Sequence, residues 1–554
     1  MTGPRMPHHS GRLAATITAV LLIAAVLLTF ATAPKSEDFW WSDAATFALN
    51  GELIHDYIAR GLGQSPMTFA SNWFLHYPAL TISLYPPILP VTEALAFTVF
   101  GFSHVVAQAV VSLFALICAF GCWAMVRTAT SRSVAVAAAL LLFATPGVLL
   151  WSRQVMMEVP TMAFLVLAAA MLLRYQSLGG QSRLYAAVVL LVAAVYTKQT
   201  AIFAAPVFAL ALMWEDGVGV LRAKSTWISI VGGIFGLIPL VLFTIKFAAQ
   251  NIDSAIGQGT ASSSGDVGAS HVSWRTLTVY GLALPEIAGW VALAGAAGYI
   301  GLIVIRGWAA PSERRLFRLM CVWFATDYLM ISVIGHFEAR YGIFLAVPIV
   351  VMCILFVSRI VPERWRSALP VGLAGAIFCF AVYDNPVPRM TGYAKVAEYI
   401  ADHAGKNDVI LLHCYESKNF VFSMRVREPE PKVFIVRTEK LLVDYNILRQ
   451  WGIADRNVSR EGIESLIDKL GVSFVVMQPD FWADQPSMAR FQEVVRSDRF
   501  TEVATFPIES DEASQRTVIG IYKNNYPTDP ADRSIDLDMR ALGGAISGRL
   551  GAKQ

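Results

Sequence analysis

The sequence of 554 residues is 55% hydrophobic and only 15% charged, and its mean hydropathy is +0.53. This composition excludes an ordinary soluble enzyme and indicates a protein with many membrane-spanning helices. The formal net charge is +3, and neither a Lys/Arg-rich run nor a zinc-type cysteine spacing supports nucleic-acid binding.

The first apolar run, residues 13–33, has the length that spans a bilayer. Arg5 and Arg12 precede it, and Pro34 and Lys35 follow it. A secretory signal peptide is the alternative, but its apolar part is normally shorter and the residues that follow make a poor cleavage site. We therefore predict an uncleaved span with a cytoplasmic N-terminus.

A polar and aromatic segment follows this run and begins the predicted first external loop, residues 34–103. Indole side chains prefer the depth at which lipid headgroups meet water, so we expect the acids of this segment to lie at the membrane surface. The alternative is a solvated loop with an aromatic anchor. The segment carries three acids and two adjacent tryptophans, Glu37, Asp38, Asp43, Trp40 and Trp41.

Residues 88–101 are apolar but too few to cross a bilayer, and they follow Pro86 and Pro87, which interrupt a continuous helix. We predict an interfacial or re-entrant helix here. The basic residues support this interpretation, because they would face outward if 88–101 crossed the membrane.

Ten further apolar segments bring the predicted number of spans to eleven. Alternate connections between them carry arginine and lysine clusters, which mark the cytoplasmic side. The predicted spans after the first are 104–126, 133–151, 159–173, 184–197, 200–214, 226–248, 286–305, 316–335, 341–358 and 367–383.

An odd number of spans places the chain after residue 383 outside the cytoplasm. Residues 384–525 alternate strand-like runs with amphipathic helical patterns, which predicts an extracytoplasmic α/β domain, a lid or an acceptor-docking module, behind the transmembrane domain of residues 1–383. Residues 526–554 lack periodicity and predict a disordered tail. The strands are predicted at 409–413, 433–437, 474–478 and 517–523, and the helices at 393–403, 461–470 and 487–496.

The outward connections carry acids, a lysine, arginines and aromatic side chains at one membrane face. Carboxylates can activate a nucleophile and cations can hold a phosphate, so this face suits a lipid-linked anionic substrate. The Gly/Ser-rich stretch 253–270 cannot pack a core. It is either a gating loop over this face or a linker.

Five short motifs lie on these connections. Through these motifs, residues 12–360 of the chain resemble the GT-C glycosyltransferases that use polyprenyl-phosphate sugars. This group comprises the dolichyl-phosphate-mannose protein mannosyltransferases (glycosyltransferase family 39) and the aminoarabinose-transferase-like enzymes. The motifs are Asp43-Ala-Ala-Thr-Phe-Ala, Tyr85-Pro-Pro-Ile with Phe100-Gly101, Arg153 with Glu158, Tyr196-Thr-Lys-Gln-Thr200, and Arg340-Tyr341.

The chain departs from the family pattern at three positions. Many members have a second acid where this chain has Ala44, aspartate where it has Glu158, and glycine where it has Gln199. A site with two adjacent carboxylates at position 43 is therefore not available.

The resemblance implies a GT-C fold and an inverting transfer of a sugar from a polyprenyl phosphate to an acceptor hydroxyl. The reaction is expected at the outer face of a bacterial inner or plasma membrane. The donor sugar stays open, as does the choice among a lipid, a glycan and a protein as acceptor.

By the same resemblance, Asp43 is the general base or a ligand of a divalent cation, the one cofactor that the sequence leaves open. Its structural alternative is a helix N-cap. Arg340 and Lys198 are expected to bind the donor phosphate, against the alternative of snorkelling at the interface.

The remaining candidates have positioning roles. Glu158 and Arg153 are expected to position the acceptor or to form a structural ion pair. Tyr85 and His76 are weaker candidates, for which packing at the interface is the alternative.

Two other classes of protein compete with the transferase. A transporter or flippase of lipid-linked sugars would place ionisable residues near the bilayer midplane and show repeated halves, whereas here the polar groups lie at span ends. A non-catalytic membrane anchor for the α/β domain would not require acids and cations distributed over four loops.

Overall fold

The computed structural model of the protein describes residues 8–35, 38–247, 274–308, 310–333, 337–445, 449, 452–539 and 544–551. Glu37 and the Gly/Ser-rich stretch 253–270 lie outside the described residues.

The first part of the chain consists mainly of long apolar sequences. It is helical because a backbone in lipid must satisfy its hydrogen bonds internally. All eleven segments predicted as spans coincide with helical structure. The helices are α1 (His8–Ala31), α2 (Ser42–Asp56), α3 (Pro66–His76), α4 (Ile88–Phe100), α5 (His104–Val126), α6 (Arg132–Ala144), α7 (Pro146–Ser152), α8 (Glu158–Leu178), α9 (Gln181–Val195), α10 (Ala204–Asp216), α11 (Lys224–Phe247), α12 (Trp274–Ala288), α13 (Trp290–Arg306), α14 (Pro311–Ser332), α15 (Ala346–Ile360) and α16 (Leu369–Asp384).

Five helices within the described ranges are long and apolar enough to cross a membrane. Two bent pairs, α6 with α7 and α12 with α13, raise this number to seven if each pair is one span. The chain is thus a multi-pass membrane protein, and the count of eleven spans stays a prediction. Helices α4, α9 and α16 are apolar but shorter, and for α4 this agrees with an interfacial or re-entrant helix.

Helices α2, α3 and α4 lie in the segment predicted as the first external loop. The Ser65 hydroxyl caps α3 by accepting a hydrogen bond from the Thr68 amide, as Ser does at helix starts. Helix α2 lies close against α4, because a Cβ at Gly51 would stand 2.7 Å from Cβ of Glu93. This glycine permits the close approach of the two helices.

The C-terminal part is an α/β domain with a six-stranded sheet in the order β1-β7-β8-β6-β2-β3. Strand β2 is parallel to β3 and to β6, and the other pairs are antiparallel. All five residues of β2 are buried, as expected for a central parallel strand covered on both faces. The sheet strands are β1 (Met390–Thr391), β2 (Val409–His413), β3 (Phe434–Arg437), β6 (Val472–Met477), β7 (Phe500–Ser510) and β8 (Thr517–Asn524).

The four predicted strands and three predicted helices of this domain are confirmed, and further elements join them. The longest additional helix, α18, follows β2 directly. The domain helices are α17 (Tyr393–His403), α18 (Ser417–Arg427), α19 (Glu439–Leu442), α20 (Arg460–Leu470) and α21 (Pro486–Val495), and a small second sheet pairs β4 (Val443–Tyr445) with β5 (Ile453–Asp455).

The C-terminal tail differs from the prediction of disorder. Strands β9 (Ser534–Met539) and β10 (Gly544–Arg549) form an antiparallel pair. Ile535, Leu537 and Ile546 are buried, so a short period-2 apolar pattern provides one buried face.

The segment predicted as the first external loop is joined to the α/β domain through Asp38. The Asp38 amide donates to the Met390 carbonyl at 3.0 Å. The Asp38 carboxylate in turn accepts from the amides of Tyr393 at 2.7 Å and Ala394 at 3.1 Å, which caps the start of α17. These bonds fix the loop residues just before α2 against the domain.

Candidate functional site

Asp43 lies in the first turn of α2, whose N-cap position is occupied by Trp41 without a side-chain capping bond. The N-cap alternative for Asp43 is therefore wrong, because the helix begins one residue before it. A carboxylate in a first helical turn is favoured by the helix dipole, and its oxygens stay available for other partners.

Two cations from distant parts of the chain meet this carboxylate. Arg340 donates to Oδ2 of Asp43 through Nη1 at 3.2 Å and Nη2 at 3.3 Å, and Nζ of Lys418 lies 3.5 Å from Oδ1. Glu338 forms an ion pair with the Nε side of the same guanidinium. Burial acts to raise the pKa of Asp43, but Lys418 and Arg340 outweigh it and hold that pKa below its ordinary value.

A second ion pair lies beside the first. Nζ of Lys198 donates to Oε1 of Glu158 at 2.7 Å, and both side chains are largely buried. The Tyr341 ring lies between the pairs, 5.1 Å from the Lys198 ammonium and 5.5 Å from the Arg340 guanidinium. Oε2 of Glu158 is buried and has no hydrogen-bond partner in the described part of the chain, so it offers an acceptor for a substrate hydroxyl.

The motif segments are held together by hydrogen bonds to backbone carbonyls. The Ile88 backbone amide donates to the Tyr196 carbonyl at 3.1 Å, and Nε2 of the Gln199 side chain donates to the Leu84 carbonyl at 2.8 Å. Gln199, where the family often has glycine, thus fixes the Tyr85 segment beside the Lys198 segment.

A cavity of about 520 Å³ adjoins the Asp43 pair. Trp40, Trp41 and Trp151 line one part of it, and charged side chains of both signs line the rest, Arg153 and Arg340 together with Glu286, Glu338 and Asp384. Aromatic faces and guanidinium groups suit a sugar and a phosphate, so the cavity and the ion pairs form one candidate site that shares Arg340.

The remaining predicted residues divide between this site and its surroundings. Tyr85 packs edge-to-face on Phe47 with ring centroids 4.9 Å apart. Burial, followed by the nearby Asp43 charge, raises the Tyr85 pKa, so its phenol stays protonated and can donate a hydrogen bond near the carboxylate.

Arg153 is buried and donates to the carbonyls of Leu149 at 3.2 Å and Asn385 at 2.6 Å. Glu158 pairs with Lys198 instead, so the ion pair considered between Arg153 and Glu158 is not formed. Arg153 therefore ties α7 to the linker that leads into the α/β domain.

His76 lies at the contact between α3 and the α/β domain. Its Nδ1 bonds the Val433 carbonyl at 2.7 Å, and its ring stacks on Phe434 at 4.3 Å. Burial lowers the His76 pKa, and the neutral ring has a packing role rather than a role beside Asp43.

Lys418 is the site residue that the sequence does not reveal. It lies in the first turn of α18, in a segment with no predicted element and no family motif. The run Tyr415-Glu-Ser-Lys-Asn after a buried strand is the available signal, because parallel strands carry functional residues at their carboxyl ends.

The residues around Asp43 do not fit a divalent cation. Both carboxylate oxygens face cations, Arg340 on one side and Lys418 on the other. Within the described ranges, no group of three or more His, Cys, Asp or Glu side chains could hold a metal ion. We assign no step to a metal at this position.

Comparisons with known proteins bear on the fold. The model of the dolichyl-phosphate-mannose-protein mannosyltransferase family matches residues 85–243, less than half of the chain but a stretch that includes four of the candidate site residues. No curated protein sequence matches the chain.

Solved structures match over nearly the whole length. ArnT from Cupriavidus metallidurans bound to undecaprenyl phosphate has a TM-score of 0.61 at 12% identity, covering 95% of this chain and 100% of ArnT. The apo oligosaccharyltransferase of Archaeoglobus fulgidus has a TM-score of 0.51 at 11% identity, covering 86% of this chain and 71% of that one. The mycobacterial arabinofuranosyltransferase AftD has a TM-score of 0.50 at 16% identity, covering 95% of this chain and 41% of AftD. The chain thus has the GT-C fold, which confirms the resemblance drawn from its motifs.

Proposed function

We propose that this GT-C chain is an integral membrane glycosyltransferase that moves a sugar from a polyprenyl phosphate to an acceptor hydroxyl. The observation that carries the proposal is the juxtaposition of Asp43 with Arg340 beside the tryptophan-lined cavity. The match to the mannosyltransferase family model and the ArnT structure bound to undecaprenyl phosphate support a lipid-phosphate donor.

In this reaction Asp43 is the general base. Its carboxylate takes the proton of the acceptor hydroxyl as the oxygen attacks the anomeric carbon of the sugar. The new glycosidic bond forms on the face opposite the phosphate, so the configuration inverts. The bond between the anomeric carbon and the phosphate oxygen breaks, and its electron pair leaves with the phosphate.

Arg340 and Lys198 serve as the cationic clamp. A phosphate leaves readily when its growing negative charge is neutralised, and a guanidinium offers two parallel donors for it. Each cation is already paired with an acid, Asp43 for Arg340 and Glu158 for Lys198. The pairs hold the cations in place before the donor arrives.

We orient the N-terminus toward the cytoplasm and the candidate site toward the opposite face of a bacterial inner or plasma membrane. The arginine clusters on alternate connections support this orientation. The Trp40, Trp41 and Trp151 side chains then lie at the depth that indoles prefer. The acceptor can be a lipid, a glycan or a protein.

The test uses the purified full chain with a panel of radiolabelled polyprenyl-phosphate sugars, and measures both free polyprenyl phosphate and the labelled product. We expect one donor to be consumed, and Asp43→Asn to lower its turnover on the order of 10²- to 10⁴-fold. Asp402→Asn, an exposed acid on α17, is the matched control and should keep wild-type turnover. Normal transfer by a well-folded Asp43→Asn variant would remove Asp43 as the base, and no consumption of any donor would overturn the proposed activity.

A further inference from the structure

The first turn of α18 is fixed against the start of α2 by side chains from both segments. Asn419 accepts from the Phe39 amide through Oδ1 at 2.9 Å and donates to the Phe39 carbonyl through Nδ2 at 2.9 Å. The Ser42 hydroxyl donates to the Glu416 carboxylate. These bonds flank Lys418 and place its ammonium at Oδ1 of Asp43.

The same turn lies at the carboxyl edge of the parallel part of the sheet. The chain after β2 continues through α18 to β3 on one side of the sheet order. The chain after β6 continues through α21 to β7 and β8 on the other side. Chains that leave two adjacent strands in opposite directions create a crevice where α/β sheets bind ligands. The Tyr415 amide, after β2, donates to Oε1 of Gln478, after β6, at 3.2 Å. This edge of the α/β domain therefore faces the membrane-domain site.

In the resting arrangement each oxygen of the Asp43 carboxylate faces a cation. Arg340 donates to Oδ2 and Lys418 lies 3.5 Å from Oδ1, so the two positive charges make this carboxylate a weaker base than it would be beside one cation. Arg340 is held on its other side by Glu338. Lys418 is the cation free to exchange, since its contact is the longer one and a lysine ammonium on four methylenes has more freedom than a guanidinium fork.

We propose that Lys418 is a phosphate-binding residue of the active site, and that it leaves Asp43 for the donor phosphate when the donor enters. This inference rests on the proposed function and assigns a role to the α/β domain. The domain completes the site with a cation that neutralises the phosphate. The same movement removes one positive charge from Oδ1 of Asp43, so the carboxylate becomes a stronger base when a donor is bound.

The charge balance around Asp43 predicts a pH effect. Both cations hold the pKa of Asp43 below its ordinary value. Removing one of them raises that pKa, so the base of the free enzyme stays protonated to a higher pH. The titratable and charged groups that face Asp43, directly or through Arg340, are Arg340, Glu338, Tyr341 and Glu158 from the membrane domain, Tyr85 from the segment before α4, and Lys418 and Glu416 from the α/β domain.

The experiment compares Lys418→Met, Lys418→Arg and the control Lys395→Met, an exposed lysine on α17, in the full chain. Undecaprenyl phosphate is the probe, and its affinity is measured by calorimetry in detergent. Loss of a charge-assisted contact should weaken binding on the order of 10- to 100-fold in Lys418→Met. Lys418→Arg should recover most of the affinity, and Lys395→Met should match the wild type.

The second readout is the pH profile of kcat/KM. In Lys418→Met its acid limb should move to higher pH, and in Lys418→Arg it should stay near the wild-type position. Wild-type affinity or an unmoved acid limb in a folded Lys418→Met variant overturns the exchange, because a merely structural lysine would lower the yield of folded protein without either change.

The two readouts keep this inference distinct from the proposed function. Probe binding needs no turnover, so the affinity of Lys418→Met can be judged even if no sugar donor is consumed. Conversely, sugar transfer with wild-type affinity and pH profile in Lys418→Met would reject the role of Lys418 and leave the glycosyltransferase assignment standing.

Discussion

Helix α2 meets helix α18 at both of its ends, and each end pairs an aspartate with a cation. At the start of α2, Asp43 contacts Arg340 and Lys418 at 3.2–3.5 Å, and 26% of its side chain is exposed. At the last residue of α2, Asp56 accepts from Arg425 at 2.6 and 3.0 Å, and 1% of its side chain is exposed.

The difference separates a structural pair from a functional one. Asp56 also accepts from the Trp73 indole at 2.9 Å, and the Arg425 guanidinium lies 4.3 Å from the Phe102 ring centroid. Both oxygens of Asp56 and all three nitrogens of the Arg425 guanidinium have partners within the protein, as a buried pair requires. The Asp43 end has longer contacts and adjoins a cavity, so its ions can exchange partners with a ligand.

The largest expected effect is on stability. It falls at the end of α2 that carries Asp56, which we call the closed end. Arg425→Met leaves the buried Asp56 carboxylate without its main partner, and we expect a loss of about 3–5 kcal/mol. Arg427→Met, two residues on and exposed, with Glu398 at 3.6 Å, should cost less than about 1 kcal/mol. Thermal and denaturant unfolding of the full chain in detergent measures both. Equal losses in the two variants would mean that the Asp56 pair does not hold the domains together.

The second effect is on activity. It falls at the end of α2 that carries Asp43, which we call the open end. Arg340→Met removes the guanidinium that we assign to the phosphate, and kcat/KM should fall on the order of 10²- to 10³-fold. Unfolding should change little, because Asp43 can still contact Lys418 and solvent. Arg340→Lys keeps the charge without the fork and should recover only part of the activity. A large stability loss in Arg340→Met with retained turnover would make the two ends alike.

The third pair, Glu158 with Lys198, shares a feature with each end. It is short and largely buried like the Asp56 pair, yet it adjoins Arg340 through Tyr341. Glu158→Gln keeps an acceptor for Lys198 and removes the charge. If the unpaired oxygen of Glu158 binds substrate, kcat/KM for the acceptor should fall about 10-fold, with the melting temperature retained. Glu363→Gln, an exposed acid after α15, serves as the control. A lower melting temperature with normal acceptor kinetics would assign this pair to the structural class.

The sequence could predict the open end better than the closed one. Asp43, Glu158, Lys198 and Arg340 stand beside apolar spans in recognisable motifs, and the spans bring them to one face. Lys418 and Arg425 lie on α18, in which eight of the eleven residues are buried, namely Ser417 and residues 419–425. A helix without a solvent-facing side lacks the 3.6-residue pattern that reveals helices, so its position depends on tertiary contacts.

The strands of the α/β domain illustrate the same limit. Strand β2 is a continuous apolar run and was predictable, whereas in β9 Ile535 and Leu537 are the buried residues among those whose burial is described. Two apolar residues that alternate with aspartates do not distinguish a short strand from a polar tail. The local sequence pattern does not specify this strand, and its position depends on packing against the rest of the domain.

The smallest expected effect concerns pH and falls at neither end of α2. His413, at the end of β2, is buried, with Nδ1 at 2.7 Å from the Thr438 hydroxyl and Nε2 accepting from Gln492 at 3.1 Å. Burial, aided by the Arg496 charge, lowers the pKa of His413 to about 3. A charged ring would also turn an N–H toward the Gln492 amide, so the folded domain keeps this imidazole neutral.

The sign of the pH dependence follows from this pKa. The unfolded chain binds a proton below about pH 6.5 and the folded one does not, so stability falls as the pH drops below 6.5. At pH 6 the loss should be about 0.8 kcal/mol. His413→Gln should flatten this dependence, whereas His403→Gln, an exposed histidine on α17, should not. The acid limb of kcat/KM should be the same in both variants, because Asp43 sets it. A shift of the acid limb of kcat/KM in His413→Gln would mean that stability and catalysis share one titrating group. It would contradict the distinction between structural and functional charged groups.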